Sequence, residues 1–476
     1  MVGREYGVGM TAADVIVLGV GPGGEQVVGD LLNAGLSVIA IEAGLVGGEC
    51  PYWGCIPSKT AIRAATTIEE ARRLNALAGT ATVHPDWAPV ARRIRDEMTD
   101  NWDDKVAADR ITDKGGNLIR GRGVVTGPRS VEVDGTIYVA RRALVIATGT
   151  VSAIPPVERI DQVKYWTNRD AMETTYVPDS MIVLGGGAIG CELAQVFARF
   201  GSSVTLVEFA PRLLAAEEPE VSEIVEKSLK ADGIDVRVGV GAKKAYDGTP
   251  VELQLSDGSF ATGDVVLLAT GRKVDLVSIG ADSIGAGPAN GHDRALPTDD
   301  YLRVLGPDGQ PIEGVYGVGD VVGKGAFTHV ATTQGRMVVD QILGKETRPF
   351  NERSVGHVTF TDPEVGGVGL TEQAARDQGI DVATATYPMQ HVSRAFIHGP
   401  GNEGLLKVVV DRASRTVVGA TVVGPHAGEV LSGLTVAVAG KVSLDDLITT
   451  VWAFPTYHRG YDAVFGELPQ DLRPIR

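Results

Sequence analysis

The chain has 476 residues, 43% of them hydrophobic and 22% charged, and a formal net charge of −16. It is too long for one hydrophobic core, so about two to four domains are expected, and its negative charge argues against non-specific binding to nucleic acid or anionic membranes. No apolar run approaches the length of a membrane span, the opening MVGREYGVGMTAAD lacks the apolar core of a signal peptide, and three cysteines make no disulfide scaffold, so a cytoplasmic setting is expected.

In chain order, residues 14–19, DVIVLG, form an apolar run rich in β-branched residues, the pattern of a buried parallel strand. It leads through Gly19, Gly21 and Gly24 into the helically spaced EQVVGDLLNAG, then into a second run, SVIAIE, that ends on Glu42. Next comes GGECPYWGCIPSK at 47–59, with Cys50 and Cys55 separated by four residues. ALVIATG at 143–149 reads as another strand and ends in Thr148-Gly149. The βαβ pattern then recurs: MIVL at 181–184, a turn with Gly185, Gly187 and Gly190, the helical CELAQVFARFG, and SVTLVE ending on Glu208. VVLLATG at 265–271, with Gly271, and VYGVGD at 315–320, ending on Asp320, are two further strands. From about residue 350, VTFTDPEVGGVGL, LLKVVVD and TVVGATVVG alternate as in an antiparallel sheet, with the helical TEQAARDQG and AGEVLSGLTVAVAG between them.

Each βαβ unit carries GxGxxG at its first turn and an acid 23 residues after the first glycine, the arrangement that binds a dinucleotide. Gly19 and Gly185 permit the tight turn, Gly21 and Gly187 let backbone N–H groups approach a pyrophosphate, and Gly24 and Gly190 allow close packing of helix on strand. The phosphates then sit at the positive end of a helix, and Glu42 and Glu208 accept hydrogen bonds from a ribose diol. Two units imply two dinucleotides. A carboxylate at Glu208 repels a 2′-phosphate and favours NAD(H) over NADP(H); Arg212, four residues on, works against that preference.

Taken together and in order, these motifs resemble the flavoprotein disulfide reductases, the family of dihydrolipoamide dehydrogenase, glutathione reductase and mercuric reductase. They are the first GxGxxG with Glu42, GGxCxxxGCIPSK, the first Ala-Thr-Gly, the second GxGxxG with Glu208, ATGR at 269–272, GVGD at 317–320, TDPEVGGVGLTE at 361–372 and GPHAGEV at 424–430. The resemblance implies an α/β fold with two Rossmann-like domains, for FAD and NAD(P), and an α+β C-terminal dimerisation domain that forms a homodimer. The implied organisation is 1–152 and 273–348 for FAD, 153–272 for NAD(P), and 349–476 for dimerisation. It further implies FAD on the first unit with Asp320 near the ribityl chain, cofactor contacts from Gly48, Lys59, Thr148, Gly149 and Gly271, and a small-molecule electron acceptor.

Zinc does not suit the cysteines, because no second ligand pair follows them; Cys191, beyond the second glycine motif, reads as a packed helix residue. Residues five apart in a regular helix have Cα atoms about 8–9 Å apart, whereas a disulfide needs about 4.4–6.8 Å. A Cys50–Cys55 bridge therefore requires a distorted helix entry, which Pro51 and Gly54 favour, and such a bridge suits redox use; a buried pair without turnover is the other reading. The resemblance assigns Cys55 to the flavin side as a charge-transfer thiolate and Cys50 to attack on an external disulfide. It places Lys59, paired with Glu192, near the flavin N5.

The chain also departs from the family pattern. Where the family has a C-terminal His-Pro-Thr-x-x-Glu donated by the partner subunit, this chain reads Phe454-Pro455-Thr456-Tyr457-His458-Arg459. Phe454 carries no proton. With Pro455 in the first turn of a helix, His458 is expected near its positive end, as a neutral substitute base. Pro51-Tyr52-Trp53 puts two large rings between the cysteines, to pack in a dimer core, to cover the sulfur pair or to stack on a flat electron acceptor, and Glu49 stands where a threonine is usual. Three functions compete: transfer of electrons from NADH or NADPH through FAD and the Cys50–Cys55 disulfide to a disulfide or related acceptor; direct reduction of a quinone-like acceptor from flavin; and a non-enzymatic role as a flavin-bound redox sensor.

Overall fold

In the computed structural model, residues 10–473 are described. The chain divides by internal contact into two compact units. The first comprises residues 1–57, 95–152 and 272–350; the second comprises 58–94, 153–271 and 351–476.

The first unit is built on an eight-stranded sheet. Strand Met10–Leu18 lies at its centre, parallel to Val38–Glu42 on one side and to Thr136–Ile146 on the other. Asn117–Arg120 extends one edge in parallel, and Pro311–Gly317 pairs in parallel with Thr136–Ile146. Alternation explains why these strands read as unbroken apolar runs. Ile16, Leu18, Ile39, Ile41, Leu144 and Ile146 enter one core cluster, and Val15, Val17, Val38, Ala40, Ala143 and Val145 enter the other. Both faces are covered, and each fully buried aliphatic side chain contributes about 1.5–3 kcal/mol. Helix Pro22–Asn33 covers the second face through Val27, Val28 and Leu31. The strand expected at 143–149 begins earlier, at Thr136, because Ser130–Val133 pairs antiparallel with its first half, and it ends at Ile146, which leaves Thr148 and Gly149 in the turn beyond.

In the second unit, a five-stranded parallel sheet runs in the order Asp235–Val238, Ser203–Glu208, Ser180–Leu184, Val265–Leu268, Tyr165–Trp166. The C-terminal part is a five-stranded antiparallel sheet, in the order 356–359, 364–369, 416–424, 405–411, 382–388. Helix Ala427–Gly440 packs on it through Leu431 and Leu434, in one cluster with Val408, Val422, Tyr461 and Phe465. Residues 58–94, which contain most of the long helix Cys55–Leu77, pack within this second unit. The two segments at which the chain leaves and re-enters the first unit, Val151–Ser152 and Arg272–Lys273, are hydrogen-bonded to each other antiparallel. Among the described residues no helix is long and apolar enough to cross a membrane.

One local expectation is corrected. The helix placed at Pro455 starts instead at Gly460, after a tight 3-10 turn over Tyr457–Arg459. Thr456 is extended and its hydroxyl donates to the Ala453 carbonyl, so the chain bends before it winds. His458 thus precedes that helix rather than lying inside its first turn.

Candidate active site

At the first glycine-rich turn, Gly19 has φ +90°, and a Cβ there would lie 2.5 Å from the Ala147 oxygen. A Cβ on Gly24 would lie 2.0 Å from the Gly19 oxygen, so the helix presses directly on the strand end. Above Gly21 the nearest atom to a Cβ is Gly48 Cα at 4.0 Å, and Gly48 itself has φ +67°. Two side-chain-free backbones thus line one cradle at the N-terminus of helix Pro22–Asn33, and no side chain caps that helix. The Glu42 carboxylate accepts from the N–H groups of Val20 (2.6 Å) and Gly44 (2.7 Å) and ties both loops to the strand end. Thr150 donates to Asp320 at 2.9 Å and accepts from Arg272 Nε at 2.7 Å. Gln334 accepts from Gly319 N–H, while its buried amide nitrogen has no hydrogen-bond partner among the described residues. An open cradle, an uncapped helix start and a buried spare donor fit a dinucleotide pyrophosphate and its sugars.

The second turn repeats this geometry. A Cβ on Gly185 would lie 2.3 Å from Ala269 oxygen, one on Gly190 would lie 1.8 Å from Gly185 oxygen, and one on Gly187 would meet nothing within 4 Å. Glu208 accepts from Gly186 and Ala210 N–H groups. Arg212 is committed elsewhere: its guanidinium donates to the carbonyls of Leu214, Ala215 and Glu217 and to Ser222 Oγ. Gly271, at φ +106°, has open space around it, and its carbonyl accepts from Ala153 N–H at 3.0 Å.

The cysteine stretch is a helix broken once. Glu49–Tyr52 forms a single turn, and its carbonyl at Glu49 accepts from both Trp53 and Gly54 N–H groups before helix Cys55–Leu77 begins. A Cβ on Gly54 would lie 3.2 Å from Cys50 Cα, so glycine lets the chain fold back onto Cys50. Cys55 Sγ lies 3.5 Å from Thr328 Oγ1, and the Cys50 thiol is within the influence of both Cys55 and Thr328. The hydrogen bond to Cys55, aided by burial, pushes the Cys50 thiol well up from its usual range. Tyr52 does not reach outward: its ring is 6% exposed, its hydroxyl donates to the Val46 carbonyl, and the expectation that it packs in a dimer core is corrected. Burial strongly raises the Cys191 thiol, which donates to Gly186 oxygen inside its helix.

In the second unit, Lys59 Nζ meets Glu192 Oε2 at 2.9 Å and lies 4.8 Å from the Phe360 ring centroid. Glu192 is 4% exposed, and its other oxygen accepts from Phe360 N–H at 2.8 Å. Phe454 is 72% exposed. His458 is half-buried between Trp452, stacked at 6.3 Å, and the edge of Tyr461 at 5.6 Å. Thr328, Gln334, Thr150 and Arg272 were not anticipated from sequence. Thr328 and Gln334 sit on helix Thr328–Ile342, whose local pattern marks no site, and only the tertiary fold brings it to the cysteines and to Gly319.

Comparison with known proteins gives a consistent result. The pattern of the pyridine nucleotide-disulphide oxidoreductases matches residues 13–335, and that of their dimerisation domain matches residues 355–463. Mercuric reductase of Bacillus cereus is 33% identical over 453 residues, covering 94% of this chain and 70% of that protein. Dihydrolipoyl dehydrogenase of Thermus scotoductus is 32% identical over 462 residues, covering 95% and 96%. Among solved structures, LpdA from Mycobacterium tuberculosis superposes with a TM-score of 0.83 at 24% identity, covering 96% of this chain and 99% of that one. The HOCl-induced flavoprotein disulfide reductase RclA from Escherichia coli does so at 0.81 and 24% identity, covering 95% and 99%; at these identities the likeness is one of fold.

Proposed function

The chain belongs to the pyridine nucleotide-disulphide oxidoreductase family, whose members bind FAD and a pyridine nucleotide, and from that premise we propose that it uses NADH, through FAD, to reduce the Cys50–Cys55 pair, which then reduces an external disulfide or related acceptor. The observation that carries this reading is Cys55 at the start of a long helix, 3.5 Å from Thr328 Oγ1, with the chain folded back onto Cys50 at Gly54. The positive ends of helices Cys55–Leu77 and Thr328–Ile342 favour a thiolate at Cys55. Lys59, fixed by buried Glu192, adds positive charge one turn further along the Cys55 helix. Cys50, the more buried of the pair, is the sulfur assigned to the acceptor.

Glu208 at its strand end and Arg212 held by three carbonyls leave neither side chain to welcome a 2′-phosphate, which supports NAD(H). A homodimer is supported by the dimerisation-domain match and by large apolar side chains exposed on that domain, Phe396, Ile397, Val436, Val451 and Phe454. As donor to the released thiol, His458 takes the part of the histidine replaced by Phe454; His458→Ala then slows disulfide turnover and leaves flavin reduction by NADH unchanged.

Anaerobic titration with NADH tests the main reading. The holoenzyme is expected to take up two electrons more than its flavin alone, with a long-wavelength thiolate–flavin band, and Cys50→Ser is expected to remove both. Uptake equal to the flavin alone, without the band, overturns disulfide cycling. The second reading, direct reduction of a flat quinone-like acceptor, is favoured by the exposed Phe454 ring at the position of the missing base; it predicts quinone reduction that survives Cys50→Ser.

A further inference from the structure

Thiol–disulfide exchange requires the attacking sulfur to be ionised. In this site the hydrogen bond to Cys55 and burial push the attacking sulfur, Cys50, toward its thiol form, and the position at which the family carries a base is Phe454. The same site contains a hydroxyl beside the sulfur pair. Thr328 Oγ1 is 3.5 Å from Cys55 Sγ and close enough to Cys50 to favour its ionised form. It is the first residue of helix Thr328–Ile342, which no side chain caps, so its hydroxyl sits at a positive helix end.

We propose that Thr328 is a catalytic residue that carries a proton between the two sulfurs and so makes Cys50 nucleophilic without an imidazole base. The inference rests on the disulfide-cycling reading above. A threonine hydroxyl has one hydrogen to donate and lone pairs to accept with, and it rotates freely. With the charge on Cys55, it donates to Cys55 and accepts from the Cys50 S–H. When the Cys50 proton passes to Oγ1 and the hydroxyl proton passes to Cys55, the charge moves to Cys50 and the hydroxyl is regenerated. Its donated hydrogen bond then serves Cys50, in keeping with the stabilising effect of Thr328 on the Cys50 thiolate.

The chemistry balances with an external disulfide, RSSR, as oxidant. The Cys50 thiolate attacks one sulfur, the S–S bond breaks, and a mixed disulfide forms with release of RS⁻. The Cys55 thiol gives its proton to that RS⁻, making RSH. The Cys55 thiolate attacks Cys50 Sγ, the mixed disulfide breaks, and a second RS⁻ leaves, to be protonated by His458, which regains its proton from solvent. Two electrons pass from the dithiol to RSSR, and the Cys50–Cys55 disulfide is the product.

The test is alkylation of the holoenzyme by iodoacetamide, after reduction with dithiothreitol and anaerobic desalting, with labelling of Cys50 and Cys55 read separately by mass spectrometry across pH. Thr328→Val is expected to slow Cys50 alkylation near neutral pH about tenfold and to move its pH profile upward. Thr328→Ser is expected to restore the wild-type profile within about twofold. Where Thr328→Val loses its flavin, Thr328→Ala compared with Thr328→Ser makes the same comparison. A Cys50 profile unchanged by removal of the hydroxyl overturns the proposal and makes Thr328 a packing residue. Because reduction is chemical, this outcome is independent of whether NADH reduces the pair: failed uptake in the NADH titration with an altered alkylation profile removes the cycling reading alone.

Discussion

At the first glycine-rich turn the backbone of Gly21 is faced by that of Gly48, from the loop that carries the cysteines, whereas at the second a Cβ on Gly187 would meet nothing within 4 Å. The two turns are otherwise alike. Each has a first glycine at positive φ against a carbonyl of the next strand, a third glycine pressed on the first, and a glutamate that accepts two backbone N–H groups. The shared parts are what a pyrophosphate requires of any backbone. The differing parts separate the two roles. The first turn is lined by a second glycine backbone from the cysteine stretch, which fits the resident flavin proposed for it, and the second is not, which fits the exchanging nucleotide proposed there.

The largest expected effects come from breaking each turn alone. Gly190→Ala puts a methyl 1.8 Å from the Gly185 oxygen; it should abolish flavin reduction by NADH while the protein remains yellow. Gly24→Ala, at 2.0 Å from Gly19 oxygen, should instead yield protein with little flavin, measured as absorbance per chain. Reversal of these two phenotypes would exchange the assignments of the turns.

A smaller effect is expected at the buried ion pair. Glu192→Gln leaves Lys59 its neighbour but removes the opposing charge, and should slow reduction by NADH about tenfold in stopped flow. The comparison sharpens further at the second turn. Glu208→Ala should narrow the preference for NADH over NADPH, read as the ratio of kcat/KM values, by about tenfold. Arg212→Ala should raise KM for NADH about threefold through loss of order in the 214–217 loop, without creating activity with NADPH.

The smallest effect concerns pH. His357 is partly buried, which disfavours its charged form, but its hydrogen bond and charge contact with Glu217 at 2.8 Å outweigh burial and raise it above its usual value. A raised pKa contributes stability that is full below the unfolded-state value of 6.5 and is lost as pH rises through the folded-state value. Urea unfolding should therefore show lower stability at about pH 8 than at about pH 6, and His357→Gln should flatten that part of the profile.

Much of the site was legible because its signals are local. A glycine that must adopt φ +90°, an acid at a strand end, and two thiols around a proline and a glycine are features of a few consecutive residues, and each sits where its pattern placed it. The paired hairpin strands before Thr136 carried no comparable signal, since their register depends on partners chosen in the fold. Tyr52 read as a dimer-core ring because its neighbours are loop residues; a hydrogen bond to Val46 and burial within its own chain turned it inward.

Alone, the order of residues determined that this protein has two dinucleotide turns, a nearby thiol pair and a separate antiparallel domain, because backbone sterics and strand periodicity act over short stretches of chain. Only the tertiary structure decided which side chains meet across long separations: Thr328 with cysteines more than two hundred residues earlier, Lys59 with Glu192, and Arg212 with the carbonyls that hold it. Such meetings depend on how whole elements pack, and no local propensity encodes them.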